Sequence, residues 1–203
     1  MPITSRFVIR STIGLLAVGF LTLLGIVGTT IWLGERAQVY FSEVIEARDT
    51  RGSAVELRDA VRTAESSQRG FLVTGNEIYL APYDSAKTLA LRQLETLQRT
   101  LTRYPESEAL LSRLKTVIAE KIGEMDQTIA LKNDRRDAEA LALVRTNRGK
   151  ALMDEANVFL SGIIGAADER LTTGVGEQRA NATMLRWVSI VGGIVIVLVV
   201  GAA

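Results

Sequence analysis

The 203-residue sequence contains neither cysteine nor histidine. Without cysteine it has no disulfide and no thiolate site, and without histidine it lacks the commonest general base and metal ligand. A phospho-accepting histidine is also excluded from these residues. Its 24 basic residues are balanced by 23 acidic ones, so no excess of positive charge points to nucleic acid. With 5% aromatic but 47% hydrophobic residues, the composition is typical of helical bundles and membrane spans.

The first long uncharged run covers residues 11–34. It is longer than the ~20 residues that a membrane-spanning helix needs. A cleaved signal peptide is the competing interpretation, but its apolar core is only about 7–15 residues long. We therefore predict an uncleaved transmembrane helix, preceded by residues 1–10, which carry Arg6 and Arg10.

A second apolar run begins after Arg186 and continues to Ala203. Residues 186–203 are close to the lower length limit, about 17 residues, for a second transmembrane helix. A tail anchor is one interpretation; the favoured one is that the chain is the front part of a longer protein. The positive-inside rule places Arg6 and Arg10 in the cytoplasm, so residues 35–185 are expected outside it. All the acidic residues lie in that region.

Between the two apolar runs, hydrophobic residues recur at helical three-four spacing and strand signals are nearly absent. Four segments each show one apolar stripe, represented by Leu57, Leu94, Ile118 and Ile163. Such stripes are buried only by packing against each other. We therefore predict an all-α fold, an antiparallel four-helix up-down-up-down bundle between two transmembrane helices. The first stripe contains Ala47, Thr50, Ala54, Leu57, Val61, Ala64, Gln68 and Phe71.

Breaks between these helices have recognisable turn residues. Gly75 is suited to a left-handed helix end, and Asn76 can cap the helix that follows. The second and third helices are predicted to end near 103 and 132, and Pro105 is predicted in the first turn of the third helix. Residues 134–148 form either a short helix at the membrane-distal tip or a bent continuation of the third helix.

A polar group precedes the first break. Glu65 and Arg69 are four residues apart and can pair on one helix face, for ~0.2–0.5 kcal/mol. Gln68 falls on the apolar stripe, and a buried amide needs hydrogen-bond partners. Tyr79 or Tyr83, just after the break, is the expected partner.

Gly70 interrupts the same helix, at a cost of roughly 1 kcal/mol relative to alanine. A close approach of another helix would offset that cost. The favoured interpretation of the whole group is a polar clamp that fixes the first helical hairpin and its register. A ligand pocket and a dimer contact are the two alternatives.

No other pattern suggests chemistry. The acidic residues near 134–139 lack the spacing of a calcium loop, and no phosphate loop or nucleophile elbow occurs. We therefore expect no cofactor, no metal and no catalytic activity in this chain. A group of basic side chains is interpreted as a solvated surface rather than an anion site: Arg135, Arg136, Arg145, Arg148 and Lys150.

Around the first break the sequence carries a specific pattern: Glu65, Gln68-Arg69-Gly70, Thr74-Gly75, Tyr79-Leu80 and Pro82-Tyr83. A weaker match follows at Gly149 and Met153-Asp154, and helix three adds little. With this pattern the sequence resembles the CHASE domain of the third type. The resemblance covers most of the outer region.

Domains of this family are extracellular sensory modules. They precede the output domains of histidine kinases, nucleotide cyclases and chemoreceptor-like proteins. The resemblance implies a sensory input domain in the bacterial inner membrane, with a homodimer, membrane lipid and an unknown small-molecule or protein signal as partners. A sensor histidine kinase is the expected output, and signals are expected to pass as helix motion through the two transmembrane helices. A chemoreceptor or cyclase front end and a non-sensing structural tether are the alternatives.

Overall fold

The computed structural model describes residues 3–104 and 107–202. Within these residues all regular secondary structure is helical, which confirms the predicted all-α class. In chain order the elements are α1 (Ile3–Thr74), a one-turn 3₁₀ helix (Glu77–Leu80), α2 (Tyr83–Leu101), α3 (Glu108–Asn133), α4 (Asp137–Arg145) and α5 (Arg148–Ala202).

The chain divides into two compact units. The apolar unit consists of residues 1–44 and 172–203, and the bundle unit consists of residues 45–171. Helices α1 and α5 contribute residues to both units, whereas α2, α3 and α4 belong to the bundle unit alone.

The apolar unit supplies the two candidate membrane spans. Their most apolar windows have mean hydropathies of 2.1 in α1 and 2.3 in α5, with 0% and 6% of the window buried. Both helices are long and apolar enough to cross a membrane by length and composition. Glycines bring them close together within this unit, because a Cβ added at Gly192 would collide with Ile26. A Cβ at Gly174 would lie 2.6 Å from Val44 Cγ2, so small residues set the helix spacing at both points.

The bundle unit has one apolar core, to which α1, α2, α3 and α5 all contribute. Leu57, Leu94, Ile118 and Ile163, the representatives of the four predicted stripes, are all buried, at 0%, 6%, 0% and 5% exposure. Every residue of the predicted first stripe is buried as well. Each large aliphatic side chain buried in this way contributes ~1.5–3 kcal/mol to folding.

The chain turns after α1 at the predicted residues, but Asn76 does not cap the second helix as predicted. Gly75 has φ +68°, and its N–H donates to Phe71 O at 2.7 Å. The Asn76 side chain accepts a hydrogen bond from Ile78 N at 3.0 Å. Asn76 therefore caps the 3₁₀ turn, and α2 begins only at Tyr83.

The end of α2 at Leu101 and the end of α3 at Asn133 agree closely with the predicted positions. Pro105, predicted in the first turn of the third helix, lies outside the described residues. Helix α4 is a separate short helix packed on α3, so the short-helix alternative for residues 134–148 is the correct one. Left-handed residues flank it, Arg135 with φ 61° and Asn147 with φ 59°. These reversals end α3 and allow α5 to start.

Candidate functional site

A cavity of about 650 Å³ lies in the bundle unit where α1 ends and α5 begins. Helix α1 contributes Glu65, Gln68 and Arg69 to its wall, and α3 contributes Lys121 and Glu124. Helix α4 covers one side, and the first residues of α5 complete the wall. The structure therefore brings three of the predicted clamp residues together on one cavity.

The inner wall carries a compact group of charges. Lys121 has a side chain that is only 2% exposed, and its Nζ donates to Glu65 Oε1 at 2.9 Å. The same Glu65 oxygen accepts a hydrogen bond from Arg69 Nη2 at 2.9 Å, as the four-residue spacing predicts. Lys121 Nζ also lies 3.6 Å from Glu124 Oε2, within ion-pair range but too far for a hydrogen bond. Two carboxylates thus share one buried ammonium group.

Glu124 occupies the deepest acidic position in this group. Its side chain is 6% exposed, and its Oε2 accepts no hydrogen bond from the described residues. The carboxylate lies directly against the backbone of Gly149, where an added Cβ would come within 2.5–2.8 Å of the carboxylate atoms. Gly149 belongs to the first turn of α5, so the positive end of the helix dipole faces the acidic group.

Gln68 is buried as predicted, but its expected partner is wrong. Its Nε2 donates to Thr128 Oγ1 on α3 at 2.7 Å, and not to Tyr79 or Tyr83. The Thr128 hydroxyl in turn donates to Met125 O at 2.8 Å, so it is a ready acceptor. Both side chains are at most 3% exposed. This hydrogen bond ties α1 to α3 across the core, rather than fixing the first hairpin.

Tyr79 has a packing role beside Gly70. Its ring lies so close to the α1 backbone that a Cβ at Gly70 would meet Tyr79 Cδ1 at 2.5 Å. The glycine therefore does permit a close approach, although an aromatic ring and not a helix occupies the space. Tyr79 is 45% exposed and is not one of the residues that line the cavity.

Tyr83 lies apart from both Gln68 and Tyr79, at the contact between α2 and α3. It is 5% exposed, and its hydroxyl donates to Asp126 Oδ1 at 2.8 Å. Lys87 Nζ donates to the other oxygen of Asp126 at 2.6 Å. Burial, followed by the hydrogen bond and charge of Asp126, raises the pKa of Tyr83 far above its ordinary value. Tyr83 thus joins α2 to α3, away from the cavity.

Several of the basic residues near α4 are held in ion pairs. Lys150 pairs with Asp154 at 2.5 Å and Arg148 with Glu120 at 3.1 Å. Arg136 pairs with Glu139 at 2.6 Å, and the hydrogen-bonded guanidinium lowers the pKa of Glu139. These pairs fit a solvated surface better than an anion site.

Sequence reasoning missed the polar stripe of α3. Lys121, Glu124 and Thr128 are all buried, and they contact the predicted residues of α1 or the start of α5. Their spacing of three and four residues places them on one helix face. That polar spacing beside an apolar stripe was the available signal. Within residues 3–104 and 107–202, no cluster of three or more acidic side chains is arranged to hold a metal ion.

The family to which the chain belongs follows from a comparison with known protein families. The family model of the CHASE3 domain matches residues 41–177, more than half of the sequence. The chain belongs to the CHASE3 family. No curated protein and no solved structure gives a significant match. CHASE3 domains are extracellular sensory domains of signalling receptors, so the cavity lies within a sensory module.

Proposed function

We propose that the chain is the sensory input part of a membrane receptor. The CHASE3 match between two apolar helix segments supports this proposal most strongly. In this arrangement residues 1–10 are cytoplasmic, 11–34 and 186–203 cross the membrane, and 35–185 lie outside the cytoplasm. Arg6 and Arg10 before the first span favour this orientation in a bacterial inner membrane.

A sensor histidine kinase is the output that we propose for the full-length receptor. A sensory module has no effect alone, so it requires an output part in the same receptor. A chemoreceptor or a cyclase would use the same input part, and a structural tether would need no output. The coding sequence after Ala203 discriminates them: a kinase supports the proposal, and a stop codon supports the tether.

Signal transfer is proposed to occur through α1 and α5. Both helices run without interruption from bundle residues into apolar segments, and neither contains proline. Each also contributes to the cavity, α1 through Glu65 and α5 through Gly149. A signal that binds one packing arrangement better than another shifts the population between them. The resulting displacement is a slide, a rotation or a splay of one helix against the other.

A homodimer is part of the same proposal, because receptors of this kind act by changing contacts between two copies. The absence of native cysteine makes this testable with single cysteines introduced along α5. Oxidation of such variants in membranes should give disulfide-linked dimers with a period of three to four residues. Monomer at every position would contradict the dimer.

Membrane orientation is tested with two single-cysteine variants of the full chain. Val158 is 70% exposed in the bundle unit, so Val158→Cys should react with a membrane-impermeant maleimide on intact spheroplasts. Thr4→Cys, in the predicted cytoplasmic segment, should react only after lysis. The reverse pattern, or protection of both residues until lysis, would overturn the proposed location of the sensory domain.

A further inference from the structure

We propose that the cavity between α1, α3, α4 and α5 binds a small amphipathic molecule with a protonated amine, whose ammonium group donates to Glu124 Oε2. This inference rests on the proposed sensory function and assigns a ligand class to it. Three observations carry it: the charge of the inner wall, the unused acceptor and the apolar side of the cavity.

The inner wall has an excess of buried negative charge. Glu65 and Glu124 have side chains 13% and 6% exposed, and Lys121 is the one buried ammonium between them. The second cation on Glu65 comes from Arg69, which is 65% exposed and therefore largely solvated. The N-terminus of α5 beside Glu124 supplies only a partial positive charge, so the two carboxylates still lack a full counter-charge, which is costly for buried groups. A cationic ligand would supply the missing charge.

The position of the acceptor specifies where the ligand nitrogen binds. Glu124 is one of the residues that line the cavity, and its buried Oε2 receives no hydrogen bond from the described residues. Lys121 Nζ already donates a hydrogen bond to Glu65 Oε1 at 2.9 Å. It lies 3.6 Å from Glu124 Oε2, too far for a hydrogen bond. An ammonium group in the cavity would form a charge-assisted hydrogen bond to this oxygen.

The outer part of the cavity is apolar. Val73 from α1 and Leu141 and Val144 from α4 line it, and these side chains are 85%, 48% and 40% exposed. The volume of about 650 Å³ falls in the range of small-molecule sites. A hydrocarbon group attached to the amine would cover these exposed side chains and gain hydrophobic stabilisation.

An anionic ligand is disfavoured by the same wall. Lys132 and Lys150 at the rim are already paired, with Asp137 at 2.8 Å and Asp154 at 2.5 Å. A carboxylate or phosphate entering the cavity would compete with Asp137 and Asp154 for these ammonium groups and would lie beside the buried Glu124 carboxylate. The buried carboxylates of the inner wall therefore favour a cation over an anion of similar shape at that position.

The test compares three probes of similar shape with different charge: 2-phenylethylammonium, 2-phenylethanol and 3-phenylpropanoate. Calorimetric titrations use the full 203-residue chain in lipid nanodiscs. The ammonium probe should bind with saturation and more tightly than the other two. Glu124→Gln should weaken its binding by roughly tenfold or more, the usual effect of losing a charged hydrogen bond.

Two further variants complete the experiment. Glu155→Gln removes a carboxylate that pairs with Arg113 outside the cavity wall, and it should leave binding unchanged. Leu141→Trp fills the apolar side from a half-exposed position, so it should abolish binding without disturbing the core. Circular dichroism of each variant checks the fold. If Glu124→Gln does not fold, Leu141→Trp alone decides whether this cavity is the site.

The inference is wrong if the wild-type chain does not bind the ammonium probe, or binds the alcohol or carboxylate equally well. It is also wrong if folded Glu124→Gln or Leu141→Trp retains the wild-type affinity. None of these results affects the proposed membrane sensor, whose orientation is tested independently by Val158→Cys and Thr4→Cys. Conversely, a wrong orientation would refute the sensor proposal even if the cavity binds the amine.

Discussion

Replacement of Lys121 by methionine removes the buried cation from the inner wall of the cavity. Methionine has a similar length and would keep most of the apolar contacts of the lysine stem. The change leaves Glu124 without an ion-pair partner and Glu65 with only the exposed Arg69. The expected result is a large loss of stability.

The magnitude follows from burial. Removing one partner of a buried ion pair costs about 3–5 kcal/mol, because the remaining charge is not compensated. Single domains have free energies of unfolding of only about 5–15 kcal/mol. Lys121→Met should therefore remove a large fraction of the stability of the bundle unit. Adding Glu124→Gln to the same chain removes the uncompensated charge and should recover about 1–3 kcal/mol.

The measurement is urea unfolding followed by circular dichroism, with the full chain in detergent micelles. Lys150→Met is the matched control, because its ion pair with Asp154 is 69% and 61% exposed and contributes about 0–1 kcal/mol. A loss below ~1 kcal/mol for Lys121→Met, or no recovery in the double variant, would refute the buried-charge reasoning.

Two other predictions concern the bundle unit. Because the pKa of Tyr83 is raised, the folded state keeps its proton while the unfolded state loses it near the ordinary value of about 10. Stability should fall as pH rises above 10, and Tyr83→Phe, which lacks the hydrogen bond to Asp126, should show a shallower decline in alkaline urea titrations. Equal slopes would contradict this. Gly149→Ala should destabilise the bundle by displacing the Glu124 carboxylate, whereas Gly162→Ala, which has open space at its Cβ, should stabilise it by about 0.5–1 kcal/mol. Thermal melting compares the two, and equal shifts would contradict the close contact.

Periodicity in the sequence was sufficient to predict the core. Leu57, Leu94, Ile118 and Ile163 are buried because a helix with one apolar stripe can bury it only against similar helices. Turn residues were equally informative where their chemistry is local. Gly75 adopts a left-handed conformation and Asn76 caps the next turn, since both effects depend on neighbouring residues only.

The partner of Gln68 could not be predicted in the same way. Its burial follows from its place on the apolar stripe, but its hydrogen bond depends on the rotation of α3 against α1. Proximity in the sequence favoured Tyr79 and Tyr83, which are oriented elsewhere. Thr128, distant in the sequence, is the residue that the packing brings into contact.

Lys121 shows a second limit of the sequence. A lysine beside an apolar stripe usually extends to solvent along its aliphatic stem. Here the carboxylates of Glu65 and Glu124 approach from α1 and from α3 itself, so the ammonium group remains buried. Only the packed arrangement shows that these charges form the wall of one cavity.

The most direct test of the account is a distance between α1 and α5 in the apolar unit, measured when the cavity is filled. Leu24→Cys and Ile190→Cys, both exposed within that unit, can carry spin labels because the chain has no other cysteine. Pulsed electron resonance in nanodiscs, with 2-phenylethylammonium at its calorimetric saturation, should show a shift of about 1–2 Å in the mean distance. Insertion of three glycines after Val44 should abolish that shift. Identical distance distributions with and without bound amine would contradict the transfer of the signal through these helices.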